Sequence, residues 1–153
     1  MHPHWTEYFT ALLTPTVALL GTLIAIFQWR IAKGKLRLEL FDRRAKVHQA
    51  ANSLVSAILT KGSTDNTNEV AFLSGTRGAE WLFGKEICTY LNDELWSNAC
   101  DLSAIEDQLK GLAVGSQRDH LIQERARLKK WFLAQYKEID RIFSPYMSVS
   151  YWA

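Results

Sequence analysis

The stretch Tyr8 to Phe27, YFTALLTPTVALLGTLIAIF, decides how the rest of the chain is read. It carries no charged residue. As an α-helix its 20 residues rise about 30 Å, at ~1.5 Å each, which is the thickness of a bilayer's hydrocarbon core. A secretory signal peptide needs a basic leader, a shorter apolar run and a small-residue cleavage site. Met1 to Glu7 contains no Lys or Arg, and the run leads into bulky Phe27, Gln28, Trp29 and Arg30. A buried core helix would show a polar face, and this stretch offers only scattered threonines. Thr10, Thr14, Thr16 and Thr22 can return their hydroxyls to carbonyls of the preceding turn, so they cost little in lipid. Pro15 is tolerated near a helix start or at a kink in a membrane. The stretch reads as a transmembrane helix over 8–29.

The flanks fit that reading. Trp5 and Tyr8 stand at one end and Trp29 at the other, about 36 Å from Trp5 to Trp29 along a helix, so amphipathic rings fall near both headgroup layers. Arg30, Lys33, Lys35, Arg37, Arg43, Arg44 and Lys46 follow, opposed only by Glu39 and Asp42. The positive-inside rule then places the N-terminus outside and residues 30–153 in the cytoplasm of a bacterial inner membrane. Arg30, Lys33, Lys35 and Arg37 are expected to face anionic headgroups, at about 1 kcal/mol per charge near the surface. Thr14, Ala18 and Thr22 recur every fourth residue, with Gly21 and Ala25 as a second small pair. Small residues at that spacing let helix backbones approach in lipid, so a homo-oligomer is expected through this face.

The remaining composition is plain. Net charge is +2 in 153 residues, too little to argue for nucleic acid, and most of the excess lies beside the span. Cys88 and Cys100 form no CxxC pair, and no Cys/His set has zinc spacing; both read as small core residues in a reducing compartment. His2 and His4 alone fall short of a metal site. No P-loop or dinucleotide glycine pattern is present, so no cofactor is expected. Strand and hairpin signals are almost absent, and the fold class is all-α.

Along the chain, residues 1–7 form a short outer tail. Residues 30–60 hold the basic segment and a first bundle helix, in which Leu36, Leu40, Val47, Ala51, Leu54 and Ile58 make a stripe widened by Phe41, Val55 and Leu59. Gly34 either breaks this helix from the span or softens the join. KGSTDNTN, 61–68, is a loop. Residues 69–143 supply the other helices. The first covers 69–82 and is weakened by Gly75 and Gly78. A corner at Phe83-Gly84 follows, then a helix over 85–112 with Ile87, Leu91, Leu95, Leu102, Ile105, Leu109 and Leu112 on one face. The last begins at Ser116, with Asp119 three positions on as in a capping box, and stops before Pro145. The aromatic tail 144–153 is expected to pack back on the domain or the membrane. Trp81, Trp96 and Trp131 read as core anchors.

The run Lys35-Leu36-Arg37-Leu38-Glu39-Leu40-Phe41-Asp42-Arg43-Arg44, with Leu82-Phe83-Gly84-Lys85-Glu86-Ile87, Trp131-Phe132 and Phe143-Ser144-Pro145-Tyr146, resembles a recurrent group of small bacterial membrane proteins. They carry an N-terminal span and then a KLRLxLFDRR-type motif. The resemblance covers most of the chain and implies a helical cytoplasmic domain on one anchor. It implies no activity. His48 departs from it, since that group would have an aromatic such as Tyr there.

One enzymatic reading competes. Arg43-x4-His48 resembles the RxxxxH signature of HEPN ribonucleases, helical proteins in which the Arg steadies phosphate and the His transfers protons. Arg44 stands where that family often has Asn, Asp or His. On an ideal helix, residues five apart diverge by about 140°, whereas Arg44 and His48 are neighbours. Glu80 with Glu86, or Asp93 with Glu94, are carboxylate pairs of the kind any helical surface produces. Arg118, Arg125, Arg127, Lys129 and Lys130 are interrupted by Glu124, as on a solvated face. The sequence therefore points to a non-enzymatic, membrane-tethered interaction module with the lipid bilayer and a second copy as partners. A HEPN-like ribonuclease and an oligomeric pore-type effector of a defence system are the alternatives.

Overall fold

Arg44, Val47, Ala51, Leu54 and Ile58 follow one another by three and four residues, and that stripe is where the core begins. A computed structural model describes residues 5–147, with side chains from 15 to 147. The described residues are all-α, without strands. Helix α1 (Trp5–Lys61) is followed by α2 (Asn66–Thr76), α3 (Ala79–Phe83) and α4 (Lys85–Thr89). A π-helical segment (Tyr90–Trp96) leads into α5 (Ser97–Gly111), and α6 (Ser116–Met147) closes the order. The chain divides into two units, one up to Leu40 and one from Phe41.

In the first unit, every side chain from 15 to 39 is exposed, among them Leu19, Leu20, Leu23, Ile24, Ile26 and Phe27. This helix is long and apolar enough to cross a membrane. Its backbone stays helical through Gly34. Trp5, Tyr8 and Thr14 belong to α1, but their side chains lie outside the described residues, as do His2, His4 and the tail from 148 onward.

The second unit is built on one core. Val47, Ala51, Leu54, Val55 and Ile58 of α1 meet Phe72, Phe83, Ile87, Leu91, Leu95 and Leu102. Leu128, Phe132, Ile139 and Phe143 of α6 complete it. The expected stripe on α1 is corrected at its start: Leu36 and Phe41 are exposed, and burial begins only at Arg44. Trp96 and Trp131 pack against the core as anchors, Trp96 stacking on Phe72.

Several boundaries move for physical reasons. The loop after α1 is shorter than 61–68, because Asp65 caps α2 by accepting from the Asn68 amide at 2.8 Å, so the helix starts at Asn66 rather than 69. Gly62 takes φ +82 where α1 ends, and Gly84 takes φ +85 at the expected corner, a left-handed backbone that glycine adopts without strain. The 85–112 helix contains a wide turn. Ile87, Leu91, Leu95 and Ala99 are all buried at strict four-residue steps. An α-helix of 3.6 residues per turn would rotate such a series off the core, and the wider π turn absorbs the difference. Inside it Tyr90 donates its hydroxyl to Gln135 Oε1 at 2.7 Å, and burial pushes the phenol well above its usual range.

Gly75 is explained by packing. A Cβ placed there would sit 2.7 Å from Ala50 Cβ, so α2 crosses α1 where neither has room for more. Gly75→Val is therefore expected to push the helices apart and cost about 1–3 kcal/mol despite its gain in backbone stiffness. Thermal unfolding followed by circular dichroism reads this directly; an unchanged midpoint would contradict the close crossing.

Candidate functional site

The second unit carries three polar constellations, and the first of them holds it together. Arg44 is only 8% exposed. Its Nε donates to the Leu82 carbonyl at 3.1 Å and its Nη1 to the Tyr146 carbonyl at 3.0 Å. The guanidinium carbon lies 5.5 Å from the Phe83 ring centroid. Phe83 in turn meets Phe143 and Tyr146 edge-on, at 5.1 and 5.5 Å. Leu82 and Tyr146 are at the C-terminal ends of α3 and α6, where carbonyls lack helical donors and the helix dipole favours a cation. One side chain thus ties three helices. It also explains why α6 continues through Pro145, which was expected to stop it. Tyr146 and Met147 pack on the core, and Arg44 satisfies a carbonyl beyond the proline. Arg44 is thus set apart from Arg30, Lys33, Lys35 and Arg37 of the same basic run, which are exposed.

The second constellation surrounds His48. Its Nε2 lies 2.8 Å from Asp140 Oδ1 and 3.2 Å from Asn52 Nδ2. Phe143 packs against the imidazole at 5.2 Å between centroids. Donation to the carboxylate puts a proton on Nε2, which leaves Nδ1, 3.5 Å from the Asn52 amide, as the acceptor in neutral imidazole. Asp140 is 69% exposed, so water screens the pair. Asp140→Asn is expected to lower stability by less than about 1 kcal/mol. A chemical-denaturation midpoint checks this, and a loss several times larger would mean that the pair carries the α1–α6 contact.

The third is a hollow of about 470 Å³ lined by Arg43, Lys46, Val47, Gly75, Gly78 and Trp81 among others. Trp81, expected in the core, is 88% exposed. The sequence gives the reason: α3 has five residues, and its buried positions are Ala79 and Phe83, which leaves Trp81 off that face. Arg43 and His48 therefore serve different surroundings, the hollow for Arg43 and Asp140 with Phe143 for His48.

On α1 before Leu40, Trp29 is exposed and the Lys33 ammonium sits 5.3 Å from its ring centroid. Arg30, Lys35 and Arg37 are exposed too. Thr22 returns its hydroxyl to the Ala18 carbonyl at 2.8 Å, which is how a threonine lowers its cost in lipid. Ala18, Gly21 and Ala25 are exposed, and a Cβ on Gly21 would meet nothing within 4 Å.

The remaining chemistry is sparse. Cys88 is half-buried against the core as expected, whereas Cys100 is exposed, which corrects its assignment to the core. Burial first, then nearby carboxylates, push both thiols up, so neither is an activated nucleophile at neutral pH. Among the described residues no group of three or more His, Cys, Asp or Glu side chains could hold a metal ion. Arg118 donates to the Leu109 and Leu112 carbonyls at the end of α5. Arg127 pairs with Glu124 and Lys129 with Glu106, as on a solvated helix. Sequence reasoning missed Arg44 and Gln135, although spacing carries both. Arg44 precedes Val47 and Ala51 in step, and Gln135 sits between Phe132 and Ile139 at the same steps. No protein-family model, curated protein or solved structure matches the chain.

Proposed function

We propose that this chain is a single-pass inner-membrane protein of a bacterium, N-terminus outside, whose helical domain is an interaction module held at the cytoplasmic face. One observation carries the reading: an uncharged stretch of α1 whose large apolar side chains, from Val17 to Phe27, are all exposed among the described residues. Removing one Leu, Ile or Phe from water is worth about 1.5–3 kcal/mol. Six such side chains left in water forgo about as much as the whole stability of an ordinary domain, about 5–15 kcal/mol. Lipid supplies the cover. The exposed Trp29 and the cations from Arg30 to Arg37 suit a headgroup layer and orient the helix by the positive-inside rule.

Self-association through the span follows from Ala18, Gly21, Thr22 and Ala25, which keep part of the helix surface narrow. Thr14 extends the spacing in sequence. Gly21→Leu is expected to weaken the oligomer of the detergent-solubilised chain at least about tenfold, since close backbone approach is lost. Concentration-dependent light scattering checks it. A mass that stays monomeric in the parent protein, or is unmoved by Gly21→Leu, rejects this interface. Ion leakage from vesicles would favour the pore reading. RNA cleavage lost on His48→Ala would favour the ribonuclease.

A further inference from the structure

We infer that the groove between α1 and α2 binds an acidic peptide segment of a partner protein, an inference that deepens the interaction-module reading above and rests on it. The two helices touch at Ala50 and Gly75, where a Cβ on the glycine would lie 2.7 Å from the Ala50 Cβ. A hollow opens on each side of that contact. One is about 240 Å³ and takes its polar lining from Lys46, Gln49, Ser53 and Asn68, over the buried ring of Phe72. The other is the hollow of about 470 Å³ beside Trp81 and Leu82. Lys46 lines both, so the two run together as one groove. No carboxylate lines either. Among the described residues the side chains of Lys46, Gln49, Ser53 and Asn68 make no hydrogen bond or ion pair. Arg43 borders the second hollow but already has a partner, so the binding charge is that of Lys46.

The lining sets the ligand chemistry. One ammonium, two side-chain amides and a hydroxyl are all donors from which a carboxylate can accept. Trp81 is 88% exposed on a fixed base, since its neighbour Leu82 is held through its carbonyl by Arg44 and Phe83 is buried. An indole so placed offers a large apolar face from anchored backbone, and tryptophan recurs among the residues that dominate protein interfaces. Gly75 and Gly78 leave the space beside it open to a side chain of the partner. The α1 and α2 residues that line the two hollows are centred about four to five positions apart, or about 6–8 Å at ~1.5 Å per residue. That separation matches an acidic and a large apolar residue two apart on an extended strand, or four apart on a helix. A free anion would satisfy Lys46 and leave Trp81 in water, whereas a peptide covers both.

Random peptides displayed on phage and selected against the full chain in detergent test this. Enriched sequences should share Asp or Glu two or four positions from Leu, Ile, Phe or Trp. A synthetic peptide of the enriched sequence, followed by fluorescence anisotropy, should bind Lys46→Glu at least about fivefold more weakly and Trp81→Ala about thirtyfold more weakly. Both positions are exposed, so helicity should stay at the parent value. Replacing the peptide's acidic residue by lysine should restore affinity for Lys46→Glu, a reversal that a merely structural effect would not give. Lys130→Glu with Lys137→Glu reverses two exposed charges of α6 and should leave affinity within about twofold. Selection of peptides with no such pair, or equal binding by the parent and both groove variants, would overturn the groove and leave the interaction reading standing on another face. Enrichment of no peptide at all would overturn the groove and the interaction reading together. Displacement of the peptide by inorganic phosphate at equal concentration would give the groove to a free anion. Loss of the chain's own oligomer in Lys46→Glu/Trp81→Ala would give it to a second copy. Either result overturns the assignment to a partner's peptide.

Discussion

Replacing Leu20 and Ile24 together by lysine is expected to remove the protein from membranes. Leu20 lies near the middle of the uncharged run and Ile24 one turn from its end, and they are 59% and 54% exposed. A lysine at the centre of a spanning helix costs about 2.5–3.5 kcal/mol for insertion and one near its end costs less, so the pair costs about 3–6 kcal/mol. That is enough to reverse partitioning for a single span. Lysine on the exposed face of a helix in water costs almost nothing, since its helix propensity matches that of leucine. The two environments thus give different outcomes for one variant. Flotation of membrane vesicles on a density gradient should carry the parent protein and leave Leu20→Lys/Ile24→Lys at the bottom. If both float equally, the apolar run is not what holds the protein in lipid.

Arg44→Met should destabilise the helical domain by about 2–4 kcal/mol. Methionine fills much of the volume but leaves the Leu82 and Tyr146 carbonyls without donors in a site that is nearly closed to water. Each buried group left unpaired costs about 1–3 kcal/mol. Arg44→Lys should recover less than half, because a compact ammonium lacks the planar fork that reaches two carbonyls while lying over Phe83. Thermal unfolding gives the magnitude. Hydrogen exchange gives the location, with amides after Phe143 losing protection first. A stability within about 0.5 kcal/mol of the parent would mean that water replaces the guanidinium and that the three-helix tie is unimportant.

Much of this architecture was open to reading from residue order. The uncharged run from Tyr8, the stripe from Val47 to Ile58, the glycine corner at Gly84 and the start of α6 at Ser116 are all local signals, and the structure has them in place. The misreadings share a physical cause: tertiary contact decided between local options of similar energy. Phe41 is apolar and in approximate phase with the core yet stays exposed, and Trp81 lies off the face of α3 that buries Ala79 and Phe83. Pro145 is a stop signal that packing of Tyr146 and the Arg44 bond outweigh. The π turn at Tyr90–Trp96 is legible in retrospect as apolar residues spaced by four rather than 3.6. Of the polar constellations, Arg43 and His48 were named from a motif, whereas the residue that ties the domain is Arg44 between them. A cation within an apolar stripe is usually read as an interruption, and here it is a cap for two helix ends.

The central claim is that α1 before Leu40 lives in lipid. Extraction of membranes from expressing cells with alkaline carbonate, followed by sedimentation of the full chain, tests it most directly. The account predicts the protein in the membrane pellet, released only by detergent. Recovery of folded, monomeric chain in the detergent-free supernatant would contradict it.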